Sequence, residues 1–260
     1  MASTISQEQT LDAFHRGRFF LVQPAKGGHR AGMDAMMLAA SLPSGFSGKL
    51  ADFGAGAGAA GLAVLSRCAQ ASALLVERSP EMAEFARATL AHPGNAHFGA
   101  RAQVLEADVS LSGKARHESG LADNHFDHVI MNPPFNAQKD RATPDELKRQ
   151  AHVMDDDLFE SWLRSAAAVT RPGGGLSIIA RPQSLRTILN AADKRFGTME
   201  LIAIHPRPDT AAIRIILRGL RGARGRLTIR PPLILHDKDS HHLSTQADHI
   251  CNGSASLFGD

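Results

Sequence analysis

No tyrosine occurs in the 260 residues, tryptophan occurs once, at Trp162, and aromatic residues make up only 5%. The aromatic platforms on which single-strand binding modules stack successive bases are therefore not expected. Cysteine is nearly as scarce. Cys68 and Cys251 stand far apart and form no C-x-x-C pair, which excludes a disulfide framework and a cysteine-based zinc site. No apolar run approaches the roughly twenty residues of a membrane span. The opening M-A-S-T-I-S-Q-E-Q-T also lacks the basic and apolar regions of a secretory signal. A cytoplasmic protein with no membrane partner is the expectation; nothing in the sequence speaks to oligomeric state.

Apolar residues are 43% and charged residues 21%, enough to bury a full core in one large α/β domain. The net charge of +3, with a pI near 9.1, suits a polyanionic partner such as nucleic acid.

Apolar runs that suit buried parallel strands alternate with segments of helical period, the pattern of a Rossmann-like doubly wound sheet. Helices are expected over Met33 to Leu42, after the glycine turn through Leu62 and Leu65, from Ser79-Pro80 onward, over Asp156 to Val169, and from Pro182 toward Phe196. Strands are expected at 49–53, 73–77, 102–106, 126–131 and 175–180. Two late strands, 199–204 and 212–217, joined through H-P-R-P-D-T, read as an antiparallel pair closing one edge of a mostly parallel sheet. The polar stretch 136–150 reads as a long loop, and such loops tend to be functional.

The run L-A-D-F-G-A-G-A-G places Gly54, Ala55, Gly56 and Gly58 directly between a strand and a helix, where the backbone turns sharply and approaches a ligand at a helix N-terminus. Glu77 ends the next strand, where a carboxylate accepts hydrogen bonds from ribose hydroxyls. A dinucleotide and S-adenosylmethionine compete for this pair. The dinucleotide fingerprint needs G-x-G-x-x-G, whereas here the third glycine follows the second by two residues. Asp52, before the turn, would repel a pyrophosphate but suits an ammonium group and a sulfonium centre. Asp108, after the third strand, can accept from an adenine amino group, with Val109 offering a backbone N–H to the ring. S-adenosylmethionine is the favoured cofactor, and no metal is required.

Asn132-Pro133-Pro134-Phe135 follows the apolar strand F-D-H-V-I-M. An exocyclic amine is a poor nucleophile because its lone pair is delocalised into the ring. The Asn132 side-chain oxygen and the Pro133 carbonyl can each accept an amine hydrogen and so redirect that lone pair. Pro133 and Pro134 hold the acceptors rigidly, and Phe135 can lie against a base splayed from its stack.

D-F-G-A-G-A-G, Glu77, A-D-V and N-P-P-F, in that order, resemble the class I methyltransferases that act on amino nitrogens. Among these, the chain is similar to the bacterial tRNA(Val) adenine-N6 methyltransferases over most of residues 20 to 236. The resemblance implies adenine-N6 methylation of tRNA. It also implies that Arg30 and Asp34, in G-H-R-A-G-M-D-A-M-M-L-A, help enclose the methionine end of the cofactor. The expected organisation is an N-terminal segment, 1–45, helping to cover the cofactor site, a methyltransferase domain, 46–236, and, from its composition, a polar C-terminal tail, 237–260. The histidine-containing K-A-R-H-E-S-G before the fourth strand and the polar tail depart from the family pattern.

Several readings stay open beside this one. Guanine-N2 methylation of ribosomal RNA and glutamine methylation of a release factor use the same chemistry, although the latter group tends to carry tyrosine where Phe135 stands. A catalytically silent RNA- or partner-binding module is a reading of another class. Arg214, Arg218, Arg221, Arg224, Arg226 and Arg230 either track a phosphate backbone, with Arg16, Arg18, Lys26 and Arg30 extending that surface, or cover a solvated edge. His236, His241 and His242 read as exposed residues of the tail, not as a metal site.

Overall fold

The computed structural model describes residues 8–25, 31–134, 145–239 and 241–260, with the backbone alone for 145–156. Its centre is a nine-stranded sheet. The core strands are β3 (Lys49–Phe53), β4 (Ser72–Glu77), β5 (Ala102–Glu106), β6 (Phe126–Met131) and β7 (Thr170–Ala180). All five run parallel. They are linked by α2 (Ala59–Arg67), α3 (Pro80–Ala91), the short α4 (Gly113–Glu118) and α5 (Asp145–Val169). After α6 (Leu185–Ala192), β8 (Phe196–His205) and β9 (Arg214–Arg221) pair antiparallel, with β9 inserted between β8 and β7.

The alternation of side chains along each strand builds two cores. Leu50, Leu75, Ile130, Ile179 and Ile216 point to the face covered by α1 (Met33–Ala39) and α2. Their neighbours Ala51, Val76, Met131, Ile178 and Leu217 point to the face covered by α5 and α6. Helix α3 starts where the sequence puts it: the Ser79 hydroxyl accepts from Met82 N, and Pro80 occupies the first turn. Among the described residues, no helix is long and apolar enough to cross a membrane.

Several features differ from the sequence reading. The chain opens with an antiparallel hairpin, β1 (Gln9–Phe14) and β2 (Phe19–Pro24), whose Phe19 and Leu21 are fully buried. Helix α5 begins at Asp145 and not at Asp156, so the last part of the presumed loop, D-E-L-K-R-Q, is helical; that stretch is rich in helix formers. The K-A-R-H-E-S-G departure forms α4, which buries Arg116 against Leu121 O and Asp123. The antiparallel pair is not the sheet's last element, because β10 (Thr228–Ile229) and β11 (Leu233–Ile234) add in parallel to β8.

The described residues of the expected polar tail (237–260) fold back onto the domain. Helix α7 (Thr245–Cys251) buries Ala247 and Ile250, and Leu257 is 5% exposed. Leu257 N donates to Ala40 O at 2.6 Å and Ser44 N to Asp260 O at 3.2 Å, fastening the end of the chain to α1. These few apolar residues were diluted by polar neighbours, so composition concealed them.

Candidate active site

Because β3, β4, β5 and β6 are parallel, their carboxyl ends share one edge, and a cavity of about 300 Å³ opens there. Ligands of open α/β sheets bind at this edge. The glycine turn forms the cavity's floor. Gly54 has φ +69°, and a Cβ there would stand 2.7 Å from Trp162 Cη2. Gly54 N and Ala55 N donate to Val76 O at 2.9 and 3.0 Å, tying the turn to β4. Gly58 (φ +95°) is the residue before α2, and a Cβ on it would meet Leu75 Cδ1 at 2.8 Å. Gly58 therefore shapes the turn and does not line the cavity, whereas Gly54, Ala55 and Gly56 do.

The carboxylates at the ends of β3 and β4 and just beyond β5 all line the cavity. Glu77 is held by two backbone donors, Gly56 N to Oε2 at 2.9 Å and Ser79 N to Oε1 at 2.8 Å. Asp52 is 2% exposed and accepts from Gly61 N at 2.8 Å. Burial pushes its carboxyl up to about 7; the Gly61 donor opposes this and the charge of Glu77 adds to it. Asp108 Oδ1 accepts from Ser110 N and Oγ at 2.8 and 2.6 Å, and Arg78 lies 3.6 Å from Oδ2. Burial alone would raise Asp108, but Ser110 and Arg78 outweigh it and hold the carboxyl below its usual range. Val109 is buried beside it and also lines the cavity.

Asn132 leaves β6 into the same cavity. Its Oδ1 is buried and has no hydrogen-bond partner among the described residues. A buried acceptor without a donor costs on the order of 1–3 kcal/mol, so its place at a ligand-sized cavity marks a binding group. Pro134 lines the cavity and Pro133 is buried. Phe135 and Arg30 lie outside the described residues. Asp34 does not line the cavity; it pairs with Arg214 Nε at 2.7 Å.

Trp162 and Leu158, four residues apart on one face of α5, form a wall of the cavity. Sequence reasoning missed both. The signal available was a lone tryptophan at helical spacing from a leucine, and its rarity was read as the lack of a stacking surface. Met82, Ala31 and Ala35 add to the apolar lining.

Among the described residues, no group of histidine, cysteine, aspartate or glutamate has a metal-binding arrangement. His236 Nδ1 instead approaches His242 O at 3.0 Å. The C-terminal arginines are largely engaged within the protein. Arg218 pairs with Glu200 and Asp260, Arg230 with Glu200, and Arg221 contacts Asn124 Oδ1 and Thr170 O. Arg224 and Arg226 are exposed.

Residues 30–207 match the family model of the methyltransferase small domain. A tRNA1(Val) (adenine(37)-N6)-methyltransferase from Porphyromonas gingivalis is 27% identical over 192 residues, 72% of each chain. Ribosomal RNA small subunit methyltransferase C from Salmonella choleraesuis is 29% identical over 176 residues, 67% of this chain and 43% of that one. Among solved structures, a predicted O-methyltransferase from Agrobacterium tumefaciens superposes with a TM-score of 0.76 at 47% identity, covering 86% of this chain and 98% of its own.

Proposed function

Because the chain belongs to the methyltransferase small domain family, it is an S-adenosylmethionine-dependent methyltransferase, and we propose that its acceptor is an exocyclic amino nitrogen of a nucleic-acid base. The residues at the cavity fit the cofactor. A volume of about 300 Å³ with an apolar wall and carboxylates on one rim lies at the small end of small-molecule sites. Asp52 would hold the ammonium end, Glu77 the ribose, and Asp108 with the Val109 N–H the adenine, while Trp162 and Leu158 cover the apolar surface. When bound, S-adenosylmethionine supplies an electrophilic methyl group.

The observation that carries the acceptor reading is the unpartnered Asn132 Oδ1. An amide oxygen accepts a hydrogen bond but is no base, so it suits an acceptor that need not be ionised. A primary amine has two hydrogens to place, one on Asn132 Oδ1 and one on the Pro133 carbonyl. Holding both localises the nitrogen lone pair and excludes the flat, delocalised arrangement of the free base. A hydroxyl acceptor, by contrast, needs its proton removed. In this reading Asp52, Glu77 and Asp108 are all engaged with the cofactor, which leaves none of them to take that proton.

Adenine N6 in tRNA is the acceptor we favour, on the similarity to the Porphyromonas enzyme together with the N-P-P-F motif. Guanine N2 of ribosomal RNA is the second reading, favoured by the similarity to the Salmonella enzyme. Incubation with labelled S-adenosylmethionine and separate tRNA and rRNA pools, followed by nucleoside identification, distinguishes them: N6-methyladenosine in tRNA is expected. Asn132→Ala should keep the wild-type cofactor affinity and lose about a hundredfold in single-turnover methylation, or roughly 3 kcal/mol of transition-state stabilisation. Transfer at the wild-type rate would reduce N-P-P-F to a turn.

A further inference from the structure

The arginines near the end of the chain do not make one surface. Arg214 opens β9 beside Ile204, at the cavity edge, and Arg221 closes it beside Phe196, at the opposite edge. The strand rise separates the two edges by about 24 Å. At that opposite, amino edge of the sheet, several elements bring cations together. The turn after β9 packs on the start of β8 through Gly222 N to Arg195 O at 2.9 Å and Thr198 N to Gly225 O at 3.4 Å. This sets Arg224 and Arg226 near Lys194 and Arg195. Arg221 reaches Asn124 and Thr170, and Arg171 reaches Asp127 at 2.8 Å. Asp127 also accepts from Lys49 N at 2.6 Å, and Lys49 Nζ lies 3.4 Å from His125 Nε2. Lys49 and His125, with Ser72, Arg101 and Gln103, line a second cavity of about 410 Å³.

Neighbouring carboxylates neutralise part of this belt: Asp127 pairs with Arg171 and Glu160 with Arg195, while Asp123 is taken by Arg116. Lys49, Lys194, Arg221, Arg224 and Arg226 then stand against Asp193, and the belt stays net positive. Charges that merely protect a sheet edge would sit on the edge strands. Lys49, Arg171 and Arg221 instead stand at the ends of the interior strands β3, β7 and β9. A second copy of the chain is a poor occupant, since it would set two like-charged belts face to face.

We propose that this belt and its polar cavity bind the phosphodiester backbone of a folded RNA, at a distance from the base presented to Asn132. Cations spaced along a sheet edge, ending in a cavity with hydroxyl, amide and guanidinium donors, suit a run of phosphates better than a single anion. The inference rests on the reading of a nucleic-acid acceptor and adds that the substrate is large enough to reach both edges of the sheet.

The test uses the full chain, unfractionated tRNA, and two exposed sites at opposite ends of the belt, Arg224→Ala/Arg226→Ala and Lys49→Ala. Cofactor titration followed by Trp162 fluorescence, together with thermal midpoints, checks that both variants are folded. The salt dependence of tRNA affinity should flatten by about two units of log–log slope in the double variant and about one in Lys49→Ala. Affinity in the double variant should fall roughly tenfold, with the methylation rate at saturating tRNA unchanged. Wild-type slopes in both variants would overturn the belt, even if tRNA is methylated. Flattened slopes without any RNA methylation by the wild type would keep the belt and overturn the acceptor reading instead. Unchanged tRNA binding with lost binding to phosphatidylglycerol vesicles would assign the belt to a membrane surface and overturn the proposal.

Discussion

At Asp52 burial works against charge on the cavity wall. Its carboxyl stands at about 7 against an ordinary 3.8, chiefly because it is buried. The folded state thus keeps a proton that the unfolded chain releases near pH 4. Stability contributed by this group is full at low pH and is lost as pH rises from about 4 to 7, by an amount on the order of 4 kcal/mol. A cationic ligand group reverses the preference, since only the carboxylate attracts it. Cofactor binding should therefore release a proton below pH 7, and affinity should rise with pH up to about 7 and then level. Calorimetry at pH 6 in buffers of different ionisation heat should show that release, and Asp52→Asn should abolish it together with the pH dependence. A wild-type affinity that does not vary between pH 5.5 and 8 would remove Asp52 from the ammonium end.

At the scale of elements, the glycine turn and α5 form one device, because Trp162 fills the space that a side chain at residue 54 would need. Gly54→Ala faces two penalties, a left-handed φ of +69°, costing about 1–2 kcal/mol, and an overlap with the indole, costing roughly 1–3 kcal/mol. Only the second can be relieved from α5. In a double-mutant cycle by denaturant unfolding, Trp162→Leu should recover about half of the Gly54→Ala loss. Strict additivity would mean that the helix does not press on the turn. The sequence showed only one side of this device. The strands β3, β5 and β6 end where expected, since each apolar run stops abruptly and only one period fits it. Trp162 comes to Gly54 through tertiary packing across a stretch that includes residues 135–144, and no local pattern records that. The hairpin β1–β2 was likewise illegible: its turn passes through positive φ at His15, Arg16 and Gly17, and only the glycine advertises it. Arg30 and Asp34 entered as the family's cofactor clasp. The structure gives Asp34 an ion pair with Arg214 instead, a partner 180 residues away in the chain that no spacing rule could supply.

For the molecule as a whole, the open question in the sequence was where the folded unit stops. Polar composition argued for a tail after residue 236, and the observed packing argues for a closing strap. Ile250 is fully buried in the same core as α1 and α2. Arg218 lies 3.9 Å over the Phe258 ring and 2.7 Å from Asp260. The strap matters to the site through α1, whose other end carries Ala35 to the cavity wall while its last turn is held by Leu257 and Arg67. Replacing a fully buried isoleucine with alanine costs roughly 2–5 kcal/mol. For a chain of this size, such a loss lowers the thermal midpoint by roughly 5–15 °C. Ile250→Ala should show that shift in a single unfolding transition, with Trp162 fluorescence and far-ultraviolet circular dichroism moving together. A detached tail predicts a change within about 0.5 kcal/mol, as for any surface substitution. A midpoint within 1–2 °C of wild type would therefore return residues 237–260 to the solvent and leave α1 to hold the cavity wall unaided.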